Sequence, residues 1–512
     1  DLSQSIFGLL EKRAEDRVFA PLVVSDQELA DGKLRIPLIL RAGDSWESCR
    51  LNATLRTEDG QEIKAIAGSG SVHCTGTERL GDRCWKYYEL VFDLPCALPH
   101  GYHDLTIDGE SADAVPQRKV QMVVTPSKCY MPADLERTFG LQVQLNGLRS
   151  QTSRCWGAGD FACLDEMVEA AAEVHAKIIG LPPLHAMPLD RREVSPYSPS
   201  HRGMLDPFYI SVENVPEYQA CTPAQVRVNS ADFQRKLRIL DDSFAMDYPQ
   251  IWELKDEILR MAFSFLYHSN EERNPRLQAF NQYRNHKSEL ELFATHRVLD
   301  AHFRSRSEPI YSWYNWPEEF QHPANPSVKA FAAEHQEEIL YQMYLQWIAD
   351  EQLAKVARHA AQHPGGRIVL YRDMALSTPG DSAESWIKQD SLMIGTSLGA
   401  PSEPTIPDGQ NWGGTPPHPE KLRDLNYQPV LDVLLANMRH AGMLRIDHAM
   451  QWQRLYCIFP GSSTEEGAYV NYSMRDLIKL IALESHRQRC LVVFEDLGTV
   501  GEAFREAMQE FG

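Results

Sequence analysis

Beyond about residue 126 the chain alternates short apolar runs with segments of helical period, and that rhythm restricts it to parallel α/β architecture. Leu141 to Leu145 reads as a strand, Phe161, Leu164, Val168, Ala171 and His175 recur at helical spacing, and Ile178 to Leu181 reads as the next strand. Parallel neighbours need crossovers of about a dozen residues or more, which this spacing supplies. A helical insertion is expected at about 220–363, where Leu, Glu, Gln, Arg and Ala dominate and the stretches Ile251 to Tyr267 and His335 to His359 carry helical period. The βα rhythm returns at Arg367 to Leu376 and pauses through a Pro/Gly-rich loop from Gly399 to Pro419. It resumes with a helix from Pro429 to His440, a strand from Met443 to Ile446, a helix opened by Ser473 with Asp476 three residues on, and a strand from Cys490 to Phe494.

The first part of the chain obeys a different period. Lys33 to Leu40 and Tyr88 to Leu94 alternate, Val120 to Val124 is a short apolar run, and Asp59-Gly60, Gly68-Ser69-Gly70 and Asp108-Gly109 give turn signals. An all-β, sandwich-like module over 1–130 follows, ahead of an α/β domain over 131–512. Gly68-Ser69-Gly70 lacks the further glycine and the helix of a phosphate loop and is read as a hairpin turn.

Composition narrows the partners. Lys and Arg number 51 against 71 Asp and Glu, a net charge of −20 that disfavours phosphate backbones and anionic lipid, so no nucleic acid or membrane partner is expected. No apolar run reaches the roughly 18 residues of a membrane span, and the opening Asp1 to Asp16 holds only the short patch Ile6 to Leu10, so no secretion signal is expected. Ten Cys occur without a C-x-x-C pair, which predicts free buried thiols in a reducing cytoplasm and no metal site.

Two acids follow apolar runs directly: Asp447 after Met443 to Ile446, and Glu495 after Leu491 to Phe494. Both should project from carboxyl ends of neighbouring parallel strands, where βα loops build active sites. Strands lie about 4.8 Å apart, so the carboxylates can approach the roughly 5 to 5.5 Å of a retaining glycoside mechanism. The alternative is that each caps its following turn. Arg445, two residues before Asp447, shares its strand face and would keep it ionised, or would form a structural salt bridge that looks the same in sequence. His448 is read either as a contact to a sugar hydroxyl or as a satisfied histidine below the site.

Six ordered stretches then carry a resemblance: Trp156 to Phe161, Ser195 to Ser200, Gly409 to Gly413, Leu444 to His448, Glu466 to Val470 and Glu495 to Thr499. They resemble the motifs of the 4-α-glucanotransferases, also called amylomaltases or disproportionating enzymes, glycoside hydrolase family 77. Leu98 to Leu105 resembles part of the amino-terminal module of the longer bacterial members. The resemblance implies a TIM-type (β/α) barrel and transfer of α-1,4-glucan segments between maltooligosaccharides without cofactor or metal. Asp447 is then the nucleophile and Glu495 the acid and base. It also implies sugar contacts from Tyr197, Asn411, Trp412 and Asp381; Tyr197 is otherwise core packing, and Asp381 otherwise caps its loop. Asp373, with Asp381, resembles the family's third-strand acid positions.

Departures are present. Phe494 stands where the family has Gly before the acid and is expected to crowd it or shift its pKa; Pro182, Ser377, Gly380 and Gly414-Thr415 also differ. The family's third carboxylate, in a Thr-His-Asp motif, has no counterpart after Glu495, and the lone His-Asp pair, His103-Asp104, is read as surface of the β module. The barrel is therefore expected to lack its last strands, from a longer protein or a degenerate one. A hydrolase on the same fold and a noncatalytic glucan-binding protein remain alternatives.

Overall fold

The computed structural model describes residues 21–41, 51–67, 72–80, 83–109, 118–135, 137–150, 154–191, 194–270, 273–285, 289–404, 406–495 and 501–512. The Ile6 to Leu10 patch, the Gly68-Ser69-Gly70 turn, Cys49 and the motif residues after Glu495 as far as Thr499 lie outside the described residues.

The described residues from 21 to 125 form two facing sheets. One is 5-stranded, with Leu22–Ser25, Arg118–Thr125, Gly101–Gly109, Leu51–Arg56 and Glu62–Ala67 side by side, and the other is 3-stranded, with Lys33–Arg41, Arg83–Asp93 and Val72–Leu80. Alternation decides which side chains meet between them: Leu34, Ile36, Leu90, Phe92, Leu105, Ile107, Met122 and Val124 face inward and are buried. Two expectations are corrected here. Asp108-Gly109 ends a strand instead of turning. His103 is 2% exposed, not surface, because on its strand it falls on the inward phase. Its Nε2 lies 2.9 Å from the Pro99 carbonyl, and its Nδ1 accepts from the Glu58 amide.

The second unit is built on a 5-stranded parallel sheet whose strands, Gly140–Gln142, Ile178–Gly180, Val369–Met374, Met443–Ile446 and Leu491–Phe494, lie in chain order. Between the second and third of them run the helices from Pro216–Ala220 to Gln336–Ala361. Leu444 and Ile446 point to the helix side, into a core shared with the helices Gln428–Met438 and Met474–Gln488. Arg372 points the same way and donates to the carbonyls of Ala436, Asn437 and Arg439, closing the carboxyl end of Gln428–Met438. Burial pushes its pKa down to about 10.

The stretch read as a Pro/Gly-rich loop contributes Ser397–Ala400 and Gln410–Asn411 to a 4-stranded antiparallel sheet with Arg454–Ile458 and Ala468–Asn471. Its ladder joins distant residues, such as Leu398 with Cys457, so no local alternation announced it. The helix after Ser473 spans Met474–Gln488 without a Ser473 side-chain cap, and Asp476 instead accepts from the Tyr427 hydroxyl at 2.6 Å. That helix also seats the sandwich: Lys479 Nζ donates to the Val23 carbonyl, and the Tyr102 hydroxyl donates to Glu484 at 2.7 Å.

Among the described residues no helix is long and apolar enough to cross a membrane. The described cysteines are free thiols, five of them buried, while Cys74 and Cys96 are exposed rather than buried as expected.

His185 and His296 are buried, and burial pushes both imidazoles down to about 3, helped by Arg372 and Arg202 around His185 and by Arg297 beside His296. Unfolded, each would titrate near about 6.5, so below that pH the unfolded chain binds more protons than the folded one and stability falls as pH falls. Urea unfolding between about pH 7 and pH 5.5 should show this decline, and His296→Gln should make the slope shallower.

Candidate active site

Strand pairing brings three charged residues to one side of the parallel sheet. Asp373 lies directly opposite Arg445 in the ladder between Val369–Met374 and Met443–Ile446, and Asp447 follows Arg445 by two positions on the same face. The Arg445 guanidinium is therefore shared. One nitrogen donates to both Asp373 oxygens at 2.7 and 2.9 Å, and the other donates to Asp447 at 2.8 Å. The pairing expected between Arg445 and Asp447 is present, but its partner on the next strand takes two of the three bonds. Against the cost of burial, the bonds to Asp373 and the charge of both carboxylates raise the Arg445 pKa above its usual value.

Asp373 is the most enclosed of the three, its side chain 10% exposed against 26% for Arg445 and 23% for Asp447. Burial raises its pKa, although Arg445 and the Tyr197 hydroxyl both oppose the shift. Tyr197 donates to Asp373 at 2.8 Å. Burial and that bond raise the phenol's pKa in turn, so the hydroxyl keeps its proton. With 46% of the residue exposed, Tyr197 is not core packing: the hydroxyl is anchored and the residue stays open to solvent.

Glu495 arrives from the neighbouring strand, Leu491–Phe494, and accepts from the backbone amide of His448 at 2.8 Å. Asp447 and His448 are consecutive, so covalent geometry keeps each Asp447 carboxylate oxygen within about 9 Å of that Glu495 oxygen. Paired acids of glycoside chemistry work within this range. His448 has a left-handed backbone, φ 47°, which turns the chain sharply after Asp447 and presents its amide to Glu495. Burial lowers the His448 pKa, opposed by Glu495 and Asp447. Its ring meets the Trp412 indole edge-on, with centroids 5.2 Å apart.

Trp412 is 40% exposed, and its indole N–H donates to Gln410. Asn411 is turned toward its own loop, its side-chain oxygen accepting from the Ser397 hydroxyl and the Gly413 amide. Asp381 is exposed just before the helix Ala383–Ile387, which Ser382 caps by accepting from the Ser385 amide, so the capping expected of Asp381 falls to its neighbour. No contact ties Asp381 to the group around Arg445 among the described residues. Phe494 does not crowd the acid: one position from Glu495, it takes the opposite phase and packs on the helix-side cluster around Ile446 and Leu477.

Three supporting residues escaped the sequence. Gln451 donates to the Asp447 carbonyl at 2.7 Å. Arg202 donates to the Leu376 carbonyl and, at 2.6 Å, to buried Glu384, whose pKa Arg202 and Lys388 hold well below the usual range despite burial. The Arg202 contacts join residues that no local pattern relates, although Arg202 follows the Ser195 to Ser200 stretch, whereas Gln451 lies four residues after Asp447 and the spacing could have shown it.

The family model described as 4-alpha-glucanotransferase matches residues 143–512, and that described as MalQ N-terminal beta sandwich domain matches residues 20–126. A 4-alpha-glucanotransferase of Haemophilus influenzae is 34% identical over 429 residues, 82% of this chain and 60% of that protein. One of Mycobacterium tuberculosis is 33% identical over 80% of this chain and 56% of its own length. The chain thus spans somewhat over half the length of these curated relatives. Amylomaltase from Corynebacterium glutamicum superposes with a TM-score of 0.78 at 24% identity, over 99% of this chain and 66% of its own. Amylomaltase from Streptococcus agalactiae, solved with acarbose, gives 0.60 at 17% identity, over 73% of this chain and 72% of its own.

Removing the shared cation leaves Asp373 enclosed and without its counter-ion. Arg445→Met should cost about 3 kcal/mol in urea unfolding, and adding Asp373→Asn should restore part of that loss. A strictly additive double variant would contradict the charge-sharing account.

Proposed function

The chain belongs to glycoside hydrolase family 77, the 4-alpha-glucanotransferases, and from that membership we propose that it transfers α-1,4-glucan segments between maltooligosaccharides by a retaining double displacement. The observation that carries the reading is the placement of Asp447 and Glu495 at the carboxyl ends of adjacent parallel strands, bridged by the His448 amide. In the first step an Asp447 oxygen attacks the anomeric carbon of the donor while Glu495 protonates the departing 4-oxygen, so the C1–O4 bond breaks as a C1–Oδ bond forms. In the second, the 4-hydroxyl of an acceptor glucan attacks that carbon, Glu495 takes its proton, and Asp447 is released. The same bond type is broken and made, so the exchange is close to thermoneutral and uses neither a nucleotide sugar nor a metal.

Arg445 serves this scheme by holding one Asp447 oxygen through a bond that leaves the carboxylate's other oxygen outside the ion pair. The Trp412 indole and the Tyr197 ring, both partly exposed, are apolar faces on which glucose units can stack and from which water is excluded. His448, Asn411 and Asp381 are assigned hydroxyl contacts in the same reading. Within it the 5-stranded sheet is part of a (β/α) barrel, and the free thiols suit a cytoplasmic location.

Incubation with pure maltotriose tests the proposal. A ladder of longer oligosaccharides is expected, and glucose and maltose alone would mean hydrolysis instead. Glu495→Gln should lower the rate by roughly 10²- to 10⁴-fold, and Asp447→Asn should abolish the ladder. Binding to immobilised amylose with no turnover in the unmutated chain would favour a noncatalytic glucan-binding role.

A further inference from the structure

Away from the sheet's carboxyl ends, two helices bring together a second group of ionisable side chains. The helix Phe161–Glu173 carries Asp165 and Glu169, four residues apart and so on one face. The helix Gln336–Ala361 carries His359 near its end, and His363 follows one turn later, just past the last helical residue. The two surfaces meet. His359 Nδ1 lies 2.7 Å from an Asp165 oxygen, His359 Nε2 lies 3.0 Å from one Glu169 oxygen, and His363 Nε2 lies 3.3 Å from the other. A ligand atom from each of Glu169, His359 and His363 falls within 4.8 Å of the others.

We propose that His359, His363 and Glu169 form a binding site for one divalent transition metal ion of the zinc type, with Asp165 orienting His359 from behind. Donors bonded at about 2.0 to 2.1 Å around a tetrahedral ion lie roughly 3.3 Å from one another, and the three ligand atoms here, all within 4.8 Å, need only a small closure to reach that spacing. Two imidazoles and a carboxylate suit zinc, nickel or copper and are poor ligands for magnesium or calcium. His359 faces a carboxylate at each ring nitrogen, so on binding its Nε2 gives up a proton and takes the ion beside Glu169. Its Nδ1–H can donate to Asp165 and leave the Nε2 lone pair for the ion, the carboxylate–histidine arrangement that fixes a ligand's tautomer. His363 must change: its Nδ1 accepts from the Gly365 amide, so its Nε2 carries the proton. On binding, the Nε2 proton is lost, Nδ1 takes one up, and the Gly365 amide turns to water. Glu169, 60% exposed, leaves the remaining coordination position open to solvent.

The bound ion would join the helix after the first parallel strand to the last helix of the insertion, which leads into the strand bearing Asp373. Its binding energy therefore adds to the folded state. The test is independent of glucan transfer. After treatment with a chelator, the chain is titrated with Zn²⁺ and Co²⁺ and followed by calorimetry, visible absorption and thermal unfolding. One ion per chain, a raised unfolding temperature with Zn²⁺ and none with Mg²⁺ are expected. His359→Gln and His363→Gln should each weaken binding at least about tenfold, and Asp165→Asn by about tenfold, with metal-free unfolding temperatures close to the parent's. Zn²⁺ should also protect His359 and His363 of the unmutated chain from carbethoxylation, a readout that needs no variant. The site is refuted if the parent binds Zn²⁺ only at millimolar concentrations, if His359→Gln/His363→Gln binds as tightly, or if the two histidines stay unprotected.

Discussion

One guanidinium, held between carboxylates on adjacent strands, ties the strand register to the placement of Asp373 and Asp447. Arg445 reaches Asp373 across the ladder and Asp447 along its own strand, so register and side-chain placement depend on each other. A slip of one residue between these strands would turn Asp373 to the helix side and leave Arg445 with half its partners. Tyr197 extends the network by donating to Asp373, which ties the loop around the Ser195 to Ser200 stretch to the sheet.

Around this centre the molecule spends buried polar groups on holding loops and helix ends. Arg372 closes a helix on the far face of the strand that carries Asp373. Arg202 and Glu384 secure the backbone leaving that strand at Leu376. Lys479 and Glu484 do comparable work at the seam with the sandwich, where a single helix serves both the parallel sheet and the β module. Rigid backing of this kind holds the backbone from which Asp447 and Glu495 project on adjacent strands.

Much of this was legible in the residues. The strands bearing Asp447 and Glu495 followed from short apolar runs ending in an acid, and alternation put Arg445 on the face of Asp447. The antiparallel sheet behind Trp412 was not legible, because short strands such as Gln410–Asn411 exist only through partners far along the chain. His103 and Phe494 show the same limit. Their chemistry suggested a surface pair and a crowded acid, yet the phase of each strand sends His103 inward and Phe494 toward the helices.

The sequence by itself determined the parallel rhythm, the β character of the first module and the two acids at strand ends, since each is written in local spacing. Only the tertiary structure decided that Arg445 is shared with Asp373, that His448 gives its amide to Glu495, and that Asp165 and Glu169 meet His359 and His363. Those contacts join residues from different elements. They depend on register and packing, which no periodicity along one segment encodes.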